Sequence, residues 1–564
     1  MYLIFFNLAV VSALVFYITR TVKRSFQYEV QQLYSFLRGS SKLPPGPLGL
    51  PFLGSIPSVT GMDGYTPFSQ IATAYGGMAY FRLGKKKVLV LREPDMIKEA
   101  YKLAAFSDRP KTSFKDDGLI GNKGIIQSVG NVWSEHRRLI LSAFRTMGLK
   151  SASASSSSSS LAAASSVSPA TQHIAEKMQH DVQEYLTFVA GPGGATSDMA
   201  LLERLTGRLA GSCVSSCVLG LPKSFADPEF VENVEVIEEG FHVGEKLAPF
   251  EVLPILKMVP GLWRRVQEKM KRNHCVTCRY FKGLIREKVT ETAADQSGGS
   301  GDGGSGEACQ GSPDSLITIY RREMTKREAL ETKILSEIQL MQTITDLFCA
   351  GTETIKYSLM WMMLYMAKYP EIQQKIQDEI ESVIGDEDRL VSWNDLSLLP
   401  YTEATILECL RLRPVLPFGH PRAVHDGGAE FRGYEVPKGT VVLALIWDVH
   451  QDPRYWENPQ QFRPSRFLNA EGKTFRPDNF IPFGTGRRLC LGDQMAMMQL
   501  FTSFSGLLQR YTIAPKVGVQ VDLNWKILLS LLVPKTFQLD LISRSRPAHS
   551  TLGQTSDSNF QHSM

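Results

Sequence analysis

The chain is predicted to be mainly α with a minor β part, and three observations carry this prediction. Long helical patterns dominate residues 128 to 420, and the clearest of them cover 334–368 and 370–384. Short apolar runs typical of strands flank that region, at 79–83, 87–91, 436–447 and beyond residue 511. No linker divides the 564 residues into independent cores, so we expect one large domain.

Composition and charge describe an ordinary globular chain. Hydrophobic residues make up 43% and charged residues 21%, which is ample material for a core. The net charge of +5 is too small to indicate nucleic acid, and no strongly basic tract with interleaved aromatic residues is present. We therefore expect no nucleic-acid partner, whereas an acidic membrane surface or an acidic protein partner is compatible with this charge.

Eight cysteines in a chain of this length do not form a disulfide framework. Several lie in apolar helical contexts, where a free thiol behaves as a small hydrophobe. Cys275 and Cys278 have the spacing of redox or zinc sites, but they lack a second pair, which disfavours such a site; whether the pair has a function stays open. We expect the domain to face a reducing compartment.

The first 19 residues are interpreted as a transmembrane anchor. Residues 2–18 are almost entirely apolar and about as long as a bilayer core requires. Arg20, Lys23 and Arg24 follow this span and no charged side chain precedes it, so the positive-inside rule places the rest of the chain in the cytosol. A cleaved signal peptide would need basic residues before the apolar run and a small-residue cleavage site after it, and neither is present.

A basic and proline-rich hinge is predicted at 20–51, followed by the main domain at 52–543 and a disordered polar tail at 544–564. The LPPGP run of the hinge, at 43–47, fixes φ and removes hydrogen-bond donors, so we expect the hinge to set the angle between the anchor and the domain. Two low-complexity inserts, 151–166 and 296–312, are expected to be flexible surface excursions.

The segment at 247–263 has apolar side chains interrupted by Pro254 and Pro260. Two interpretations stay open. The segment forms a second membrane contact, or it is a packed loop between helices.

Residues 483–492 read FGTGRRLCLG and contain the most informative residue of the chain, Cys490. Glycines let the backbone of this loop approach a flat partner closely. Arg487, Arg488 and the N-terminus of the following helix are expected to lower the pKa of the thiol and favour a metal-binding thiolate. An isolated Gly-x-Cys-x-Gly turn, by contrast, is more often a buried structural cysteine.

The whole loop resembles the haem-thiolate loop of the cytochromes P450, with every position of Phe-x-x-Gly-x-Arg-x-Cys-x-Gly matched. The resemblance implies a single triangular haem domain behind the N-terminal anchor, with haem b as cofactor, Cys490 as the axial iron ligand and Phe483 beside the sulfur. It runs in order from the hinge to about residue 540. FSDRP at 106–110 and LPYTEA at 399–404 look like the microsomal group called family two.

Residues 346–354 read DLFCAGTET within an apolar helix. Polar side chains such as Glu353 and Thr354 are unusual in an apolar helix. One explanation is structural, with the Thr354 hydroxyl bonded back to the carbonyl of Ala350. The resemblance implies oxygen activation instead. The small pair Ala350 and Gly351 would leave room for dioxygen, and Thr354 and Glu353 would relay protons to it.

A tryptophan and several arginines match the family's contacts to the haem propionates. Trp133 and Arg137 lie four apart on one helix, where an ordinary surface cation–π pair is the alternative. The resemblance implies that they bind a propionate together with Arg422 and Arg488, because a guanidinium binds a carboxylate bidentately. It also implies a buried structural triad, formed by Glu408, Arg411 and Arg466.

The implied function is a haem-thiolate monooxygenase that inserts one oxygen atom of O₂ into a hydrophobic organic substrate, such as a fatty acid, steroid or xenobiotic. Electrons would come from an NADPH-dependent flavoprotein reductase docked on Arg137, Arg138 and Arg487, and cytochrome b5 is a further candidate partner. The expected location is the cytosolic face of the endoplasmic reticulum membrane, with the lipid bilayer holding the anchor. The substrate pocket would be lined by 110–128, 225–265, Phe348, Ala350, 415–418 and 528–532.

Two other functions are compatible with a haem-thiolate loop. An isomerase or dehydratase would rearrange peroxides without O₂ or reductase, but such enzymes tend to lack the acid–hydroxyl pair at 353–354. A haem-binding scaffold or sensor without turnover is a poor match to that intact pair.

Overall fold

The computed structural model describes two single residues, Gln27 and Val30, and the ranges 42–60, 63–112, 122–149, 168–191, 198–259, 261–297, 315–328, 334–385 and 389–544. The predicted anchor at 1–19 and the insert at 151–166 lie outside these residues. So do most of the hinge at 20–51, the insert beyond residue 297 and the tail beyond residue 544. Within the described part, no helix combines the length and the apolar character needed to cross a bilayer.

Helices make up most of the described chain, as predicted. The first half contains α1 (Ile56–Val59), α2 (Thr66–Ala74), α3 (Pro94–Lys102), α4 (Gly130–Thr146), α5 (Pro169–Ala190), α6 (Met199–Val214), α7 (Pro228–Glu245), α8 (Ala248–Val252) and α9 (Leu262–Ser297). The second half contains α10 (Leu316–Glu328), α11 (Glu337–Lys368), α12 (Pro370–Ile384), α13 (Pro400–Leu412), α14 (Ile446–Gln451) and α15 (Asp493–Arg510).

In the described residues the minor β part forms one four-stranded sheet and three two-stranded sheets. The strands are β1 (Met78–Leu83), β2 (Lys86–Leu91), β3 (Arg422–Ala423), β4 (Ala429–Phe431), β5 (Tyr434–Val436), β6 (Val441–Ala444), β7 (Tyr511–Pro515), β8 (Trp525–Leu528), β9 (Leu531–Pro534) and β10 (Leu539–Ser543). The sheet has the order β1-β2-β6-β3, in which β2 and β6 are parallel and the other pairs antiparallel. The pairs β4–β5, β8–β9 and β7–β10 are antiparallel.

Helix α11 runs through the centre of the main core, and its sequence explains both of its ends. The Ser336 side chain caps the N-terminus by accepting a hydrogen bond from the Gln339 N–H at 3.3 Å. Pro370 disfavours a helical conformation at the preceding Tyr369, which ends the helix. The predicted start at residue 334 was early because the cap lies at Ser336.

Two glycines bring α11 and α6 into close contact. A Cβ atom on Gly211 of α6 would lie 2.8 Å from Cζ of Phe348. A Cβ atom on Gly351 of α11 would lie 2.8 Å from Cγ2 of Val214. The small size of Gly351 therefore serves helix packing, and its role in leaving room for dioxygen stays a prediction.

The proline-rich run is held against the sheet rather than standing free. The carbonyl of Pro45 accepts a hydrogen bond from the N–H of Tyr80 in β1 at 2.8 Å. A Cβ atom on Gly46 would lie 1.8 Å from the Tyr80 carbonyl oxygen, so only glycine fits there. The prolines lack donors, but the run is fixed to β1 through the carbonyl of Pro45.

The segment at 247–263 contains both packed and exposed apolar residues. Leu247 and Phe250 are buried, and the Phe250 ring packs on that of Trp263 with the centroids 5.2 Å apart. Met258, Val259 and Leu262 are about half exposed, and so are Leu48 and Leu50 in the proline-rich run. The loop therefore packs through one end and presents apolar side chains at the other.

The described cysteines are all free, in agreement with the prediction. Cys275 is exposed on α9, and the Cys278 sulfur lies 3.4 Å from Nε2 of His274. Within the described residues, no group of three or more potential ligands is placed to hold a metal ion.

Candidate functional site

The Cys490 loop lies between the 3₁₀ turn Gly486–Arg488 and the start of α15. The Cys490 N–H donates to the Phe483 carbonyl at 3.1 Å, which closes the loop on itself. Gly486 has a φ of +68°, and a Cβ atom there would lie 2.1 Å from the Tyr101 carbonyl oxygen. Glycine is thus required because α3 presses directly on the loop.

Burial and, after it, the Asp493 carboxylate raise the pKa of the Cys490 thiol to about 11. The N–H of Gly492 and the Arg137 guanidinium lower it. The expectation that Arg487 and Arg488 activate the sulfur is therefore wrong, because both guanidinium groups lie over the Trp133 ring, at 5.9 and 3.9 Å, and Arg487 is exposed as well. An iron ion would instead supply the charge that holds a thiolate here, since a coordinating thiol loses its proton to the metal.

Three predicted residues converge beside the loop. The guanidinium carbon of Arg488 lies 3.9 Å from the ring centroid of Trp133, and its nitrogens donate to backbone carbonyls of 107, 125 and 128. Arg137 reaches the loop from α4 and donates to the Leu489 carbonyl at 2.8 Å. Trp133 and Arg137 are thus part of the site rather than a surface pair, although their own separation of 6.0 Å is long for a cation–π contact.

Arg422 joins the cluster from β3. It donates to the carbonyl of Thr485 at 2.6 Å, and its guanidinium carbon lies 3.4 Å from the ring centroid of Tyr101. The arginine is buried, with 2% of its surface exposed. Strand β3 therefore carries a cation to the same end of the Cys490 loop as Arg488.

Arg109 is a member of this cluster to which sequence reasoning assigned no role. It is buried and donates to the carbonyls of Pro421, His420 and Ile126 at 2.7, 3.1 and 3.0 Å. The sequence could have indicated Arg109, because this residue belongs to the FSDRP motif at 106–110 that resembles the family. Only the fold shows that Arg109 lies near Arg422, whose positive charge lowers the pKa of Arg109.

The arginine cluster, formed by Arg109, Arg422 and Arg488, has more positive charge than its surroundings balance. Burial and, after it, the charges of neighbouring arginines lower the pKa of the three guanidinium groups to about 9, 10 and 8. Within the described residues none of the three forms a salt bridge, and their hydrogen bonds go to backbone carbonyls. The nearest carboxylates, Asp346 for Arg109 and Asp108 for Arg488, act on them without direct pairing. Buried cations are normally paired. A flat cofactor with two carboxylates, such as haem b, fits this arrangement.

Helix α11 presents an accessible face in an otherwise buried helix. Ala350 is exposed and Thr354, one turn later, is half-buried, whereas most residues of the helix are buried. The Thr354 hydroxyl donates to the Ala350 carbonyl at 2.6 Å, which is the structural alternative raised from the sequence. The oxygen of that hydroxyl keeps lone pairs with which it can accept a hydrogen bond on the open face.

Glu353 points elsewhere. Its carboxylate is 1% exposed and lies 3.0 Å from the ammonium group of Lys356, one turn along the same helix. Burial raises the pKa of Glu353 to about 7, and Lys356 opposes that rise. The structure therefore places the acid and the hydroxyl on neighbouring faces of α11, and the carboxylate of Glu353 forms an ion pair with Lys356 and no hydrogen bond with Thr354.

Phe348 does not line a pocket with Ala350, contrary to the sequence prediction. The ring is fully buried, with its centroid 5.4 Å from that of Phe281 and 6.4 Å from that of Phe230. Two residues along a helix correspond to about 200° of rotation, so Phe348 and Ala350 face opposite ways. Phe348 is a core residue that joins α11 to α7 and α9.

The predicted triad is formed, and two of its three members are fully buried while Arg466 is half-buried. Nε and a terminal nitrogen of Arg411 donate to the two oxygens of Glu408 at 2.7 and 2.9 Å, and Nε of Arg466 donates to Oε1 at 3.0 Å. Glu408 and Arg411 have no exposed surface. Arg411 also donates to the His450 carbonyl at 2.7 Å. These bonds join α13 to the segment that leads toward the Cys490 loop.

Comparison with known proteins gives the same family along nearly the whole chain. A family model described as cytochrome P450 matches residues 44–541. Cytochrome P450 18a1 of Drosophila melanogaster is 30% identical over 521 residues, which cover 91% of this chain and 89% of the fly protein. Cytochrome P450 2J5 of Mus musculus is 29% identical over 512 residues, with 90% and 92% covered. Cytochrome P450 2B4 of Oryctolagus cuniculus is 30% identical over 513 residues, with 90% and 95% covered.

Proposed function

Since the chain belongs to the cytochrome P450 family, and is therefore a haem-thiolate monooxygenase with haem b as cofactor, we propose that Cys490 is the residue that ligates the haem iron. The observation that carries this assignment is the cluster of unpaired buried arginines beside the Cys490 loop. When bound, the haem supplies the redox chemistry by which one atom of O₂ enters the substrate and the other becomes water. The protein residues bind, orient and deliver protons.

The arginine cluster holds the two haem carboxylates in this proposal. Arg422 and Arg488 provide planar donors for bidentate binding, and Arg109 adds a third charge. Arg137 donates to the Leu489 carbonyl and thereby fixes the backbone next to Cys490. Trp133 supports Arg488 through its ring face. Phe483 holds the Cys490 N–H through its carbonyl and shields the sulfur from water.

Proton delivery is assigned to Thr354 and Glu353. Thr354 lies on the accessible face of α11 and retains lone pairs for an incoming hydrogen bond. Glu353, with a pKa raised to about 7, exchanges protons near neutral pH, which suits a group that both takes and gives a proton. A water molecule must connect the two, because they are not bonded to each other.

The electron donor is proposed to be an NADPH-dependent flavoprotein reductase, with cytochrome b5 as a second donor. Arg138 and Arg487 are exposed near Trp133 and the Cys490 loop, where they provide positive charge for an acidic partner surface. Arg137 is turned inward to Leu489 and is better placed to position the loop than to dock a partner.

The membrane of the endoplasmic reticulum is proposed as the location, with the catalytic domain on the cytosolic face. The apolar residues 2–18 would form the anchor. The exposed apolar side chains of the 247–263 segment and of the proline-rich run would make a second contact with lipid. Hydrophobic substrates, such as fatty acids, steroids and xenobiotics, would then reach the site from the bilayer.

Measuring NADPH and O₂ consumption by the full chain, reconstituted with a reductase in phospholipid vesicles, tests this proposal. A monooxygenase consumes both and forms a hydroxylated or epoxidised product. Peroxide rearrangement without NADPH or O₂ would indicate an isomerase instead, and haem binding without either activity would indicate a scaffold. A spectral-shift screen against fatty acids, steroids and xenobiotics identifies the substrate class.

Replacing Thr354 by valine is expected to lower product formation by about 10²-fold, the lower end of the contribution of a positioned proton-transfer group. NADPH oxidation should continue, with the electrons leaving as hydrogen peroxide. Thr352→Val is the matched control, because Thr352 makes the same back-bond, to Phe348 at 2.8 Å, but is buried. Equal product per NADPH in the two variants would contradict the role of Thr354.

A further inference from the structure

Lys356 is a lysine with no exposed surface in the middle of α11. Its ammonium group lies 3.0 Å from Oε2 of Glu353 and 3.3 Å from Oε1 of Glu238 in α7. Its stem passes over Gly207 of α6, where a Cβ atom would lie 3.4 Å from Cδ of the lysine. Three helices thus shape the space that this one side chain occupies.

Burying an ammonium group costs free energy unless the group is paired, so the groups around Lys356 must stabilise its charge. The ring of Tyr357 lies 4.5 Å from Nζ and provides a cation–π contact. The other charged or titratable groups that act on this site are Glu353 on α11, Glu203 on α6, Glu238 and His242 on α7, and Lys526 on β8. His242 and Lys526 are exposed, so Lys356 is the buried cation among three carboxyl groups.

The carboxyl groups differ in their access to water. Glu353 is almost fully buried, whereas the Glu238 side chain is 25% exposed and Glu203 is half-buried. Within the described residues, neither oxygen of Glu353 has a partner with hydrogen-bond geometry, so its contact with Lys356 is an ion pair. The charge of Glu353 therefore depends on how Lys356 is shared between α11 and α7.

We propose that Lys356 is a positioning residue that holds the Glu353 carboxyl group in place and sets its affinity for protons, with Glu238 opposing it from α7. This inference rests on the proposed function, because it concerns the acid assigned there to proton delivery. It extends that function by naming the residues that set the pH range of the reaction.

The signs follow from Coulomb's law. Lys356 lowers the pKa of Glu353, and the carboxylates of Glu238 and Glu203 raise it. Removing the lysine charge must therefore raise the pKa of Glu353, and removing the charge of Glu238 must lower it. If protonated Glu353 is the donor, proton delivery fails as the pH rises through the pKa of Glu353. The highest pH at which protons are delivered therefore moves in the same direction as that pKa.

The primary test follows the protonation of Glu353 itself. Infrared difference spectra of the full chain over a pH series report the protonated carboxyl band, which is assigned by its loss in Glu353→Gln. Lys356→Met is expected to move this titration upward by about one pH unit or more, the effect of an opposite charge in contact. Glu238→Gln is expected to move it downward by less, and Lys356→Arg should stay near the wild type.

The second readout is the fate of electrons from NADPH in the reconstituted, substrate-free system. Two electrons and two protons reduce O₂ to hydrogen peroxide, and four of each reduce it to two water molecules, so the fraction of water reports proton delivery. The pH above which the water fraction falls should be higher in Lys356→Met and lower in Glu238→Gln than in the wild type. Because Glu238 is partly exposed, Glu238→Gln still tests the inference if Lys356→Met does not fold.

The inference is supported if the infrared titration of Glu353 shifts upward in Lys356→Met and downward in Glu238→Gln, and if the pH dependence of the water fraction shifts in the same directions. An unchanged titration in both variants would overturn it. A wild-type pH profile in Glu353→Gln would instead overturn the proposed role of Glu353 in proton delivery, and the infrared titration would still report whether Lys356 sets its charge.

Discussion

Replacing Arg411 by methionine is expected to lower the free energy of unfolding by about 3–5 kcal/mol and to prevent stable haem incorporation. The substitution leaves Glu408, which has no exposed surface, without its bidentate partner. It also removes the hydrogen bond to the His450 carbonyl, which joins α13 to α14. The loss is measured as the midpoint of thermal unfolding and as haem bound per chain.

Arg264→Met is the matched control for this prediction. Arg264 forms an ion pair with Glu268 one turn away on α9, but both side chains are mostly exposed. Such surface pairs contribute little, so the control should unfold like the wild type. The double variant Glu408→Met/Arg411→Met should recover part of the loss, because no carboxylate is left buried without Arg411, and Arg466 keeps its hydrogen bonds to the carbonyls of Glu457 and Gln461. If Arg411→Met were as stable as Arg264→Met, the structural role of the triad would be wrong.

Replacing Cys490 by serine is expected to abolish NADPH-dependent oxygenation. An alcohol is a far weaker acid than a thiol, so serine does not supply a thiolate-like anionic ligand to the iron. The fold should persist, because the Cys490 N–H keeps its bond to the Phe483 carbonyl and the volume change is small. The measurement is product formed per minute per bound haem, with thermal unfolding as the check on folding.

Cys275→Ser provides the control for the serine substitution. Cys275 is exposed on α9 and takes no part in the proposed site. Its replacement should leave turnover within error of the wild type. Equal activity of Cys490→Ser and Cys275→Ser would exclude Cys490 as the iron ligand.

The local parts of the fold could be predicted from the sequence. Helix α12 has the predicted bounds, because Pro370 begins it and Gly385, at a φ of +55°, ends it. The alternative for Thr354 was equally local, since a hydroxyl one turn from a carbonyl bonds back to it. The face of Phe348 was predictable too, because two residues along a helix point in opposite directions.

Tertiary contacts account for the predictions that failed or were missed. The sequence puts Arg487 and Arg488 beside Cys490, but the fold turns Arg488 toward Trp133 and leaves Arg487 exposed. Nothing in the chain order places Arg109 next to Arg422, or Lys356 next to Glu238. Charges brought together from distant segments, and the desolvation that perturbs them, are properties of the packed molecule.

The most direct test of the central assignment is the absorption spectrum of the purified full chain after reduction and exposure to carbon monoxide. Thiolate ligation by Cys490 predicts a red-shifted Soret peak that disappears in Cys490→Ala and persists in Cys275→Ser. A wild-type spectrum without that shift, or a shifted peak that survives in Cys490→Ala, would contradict the assignment.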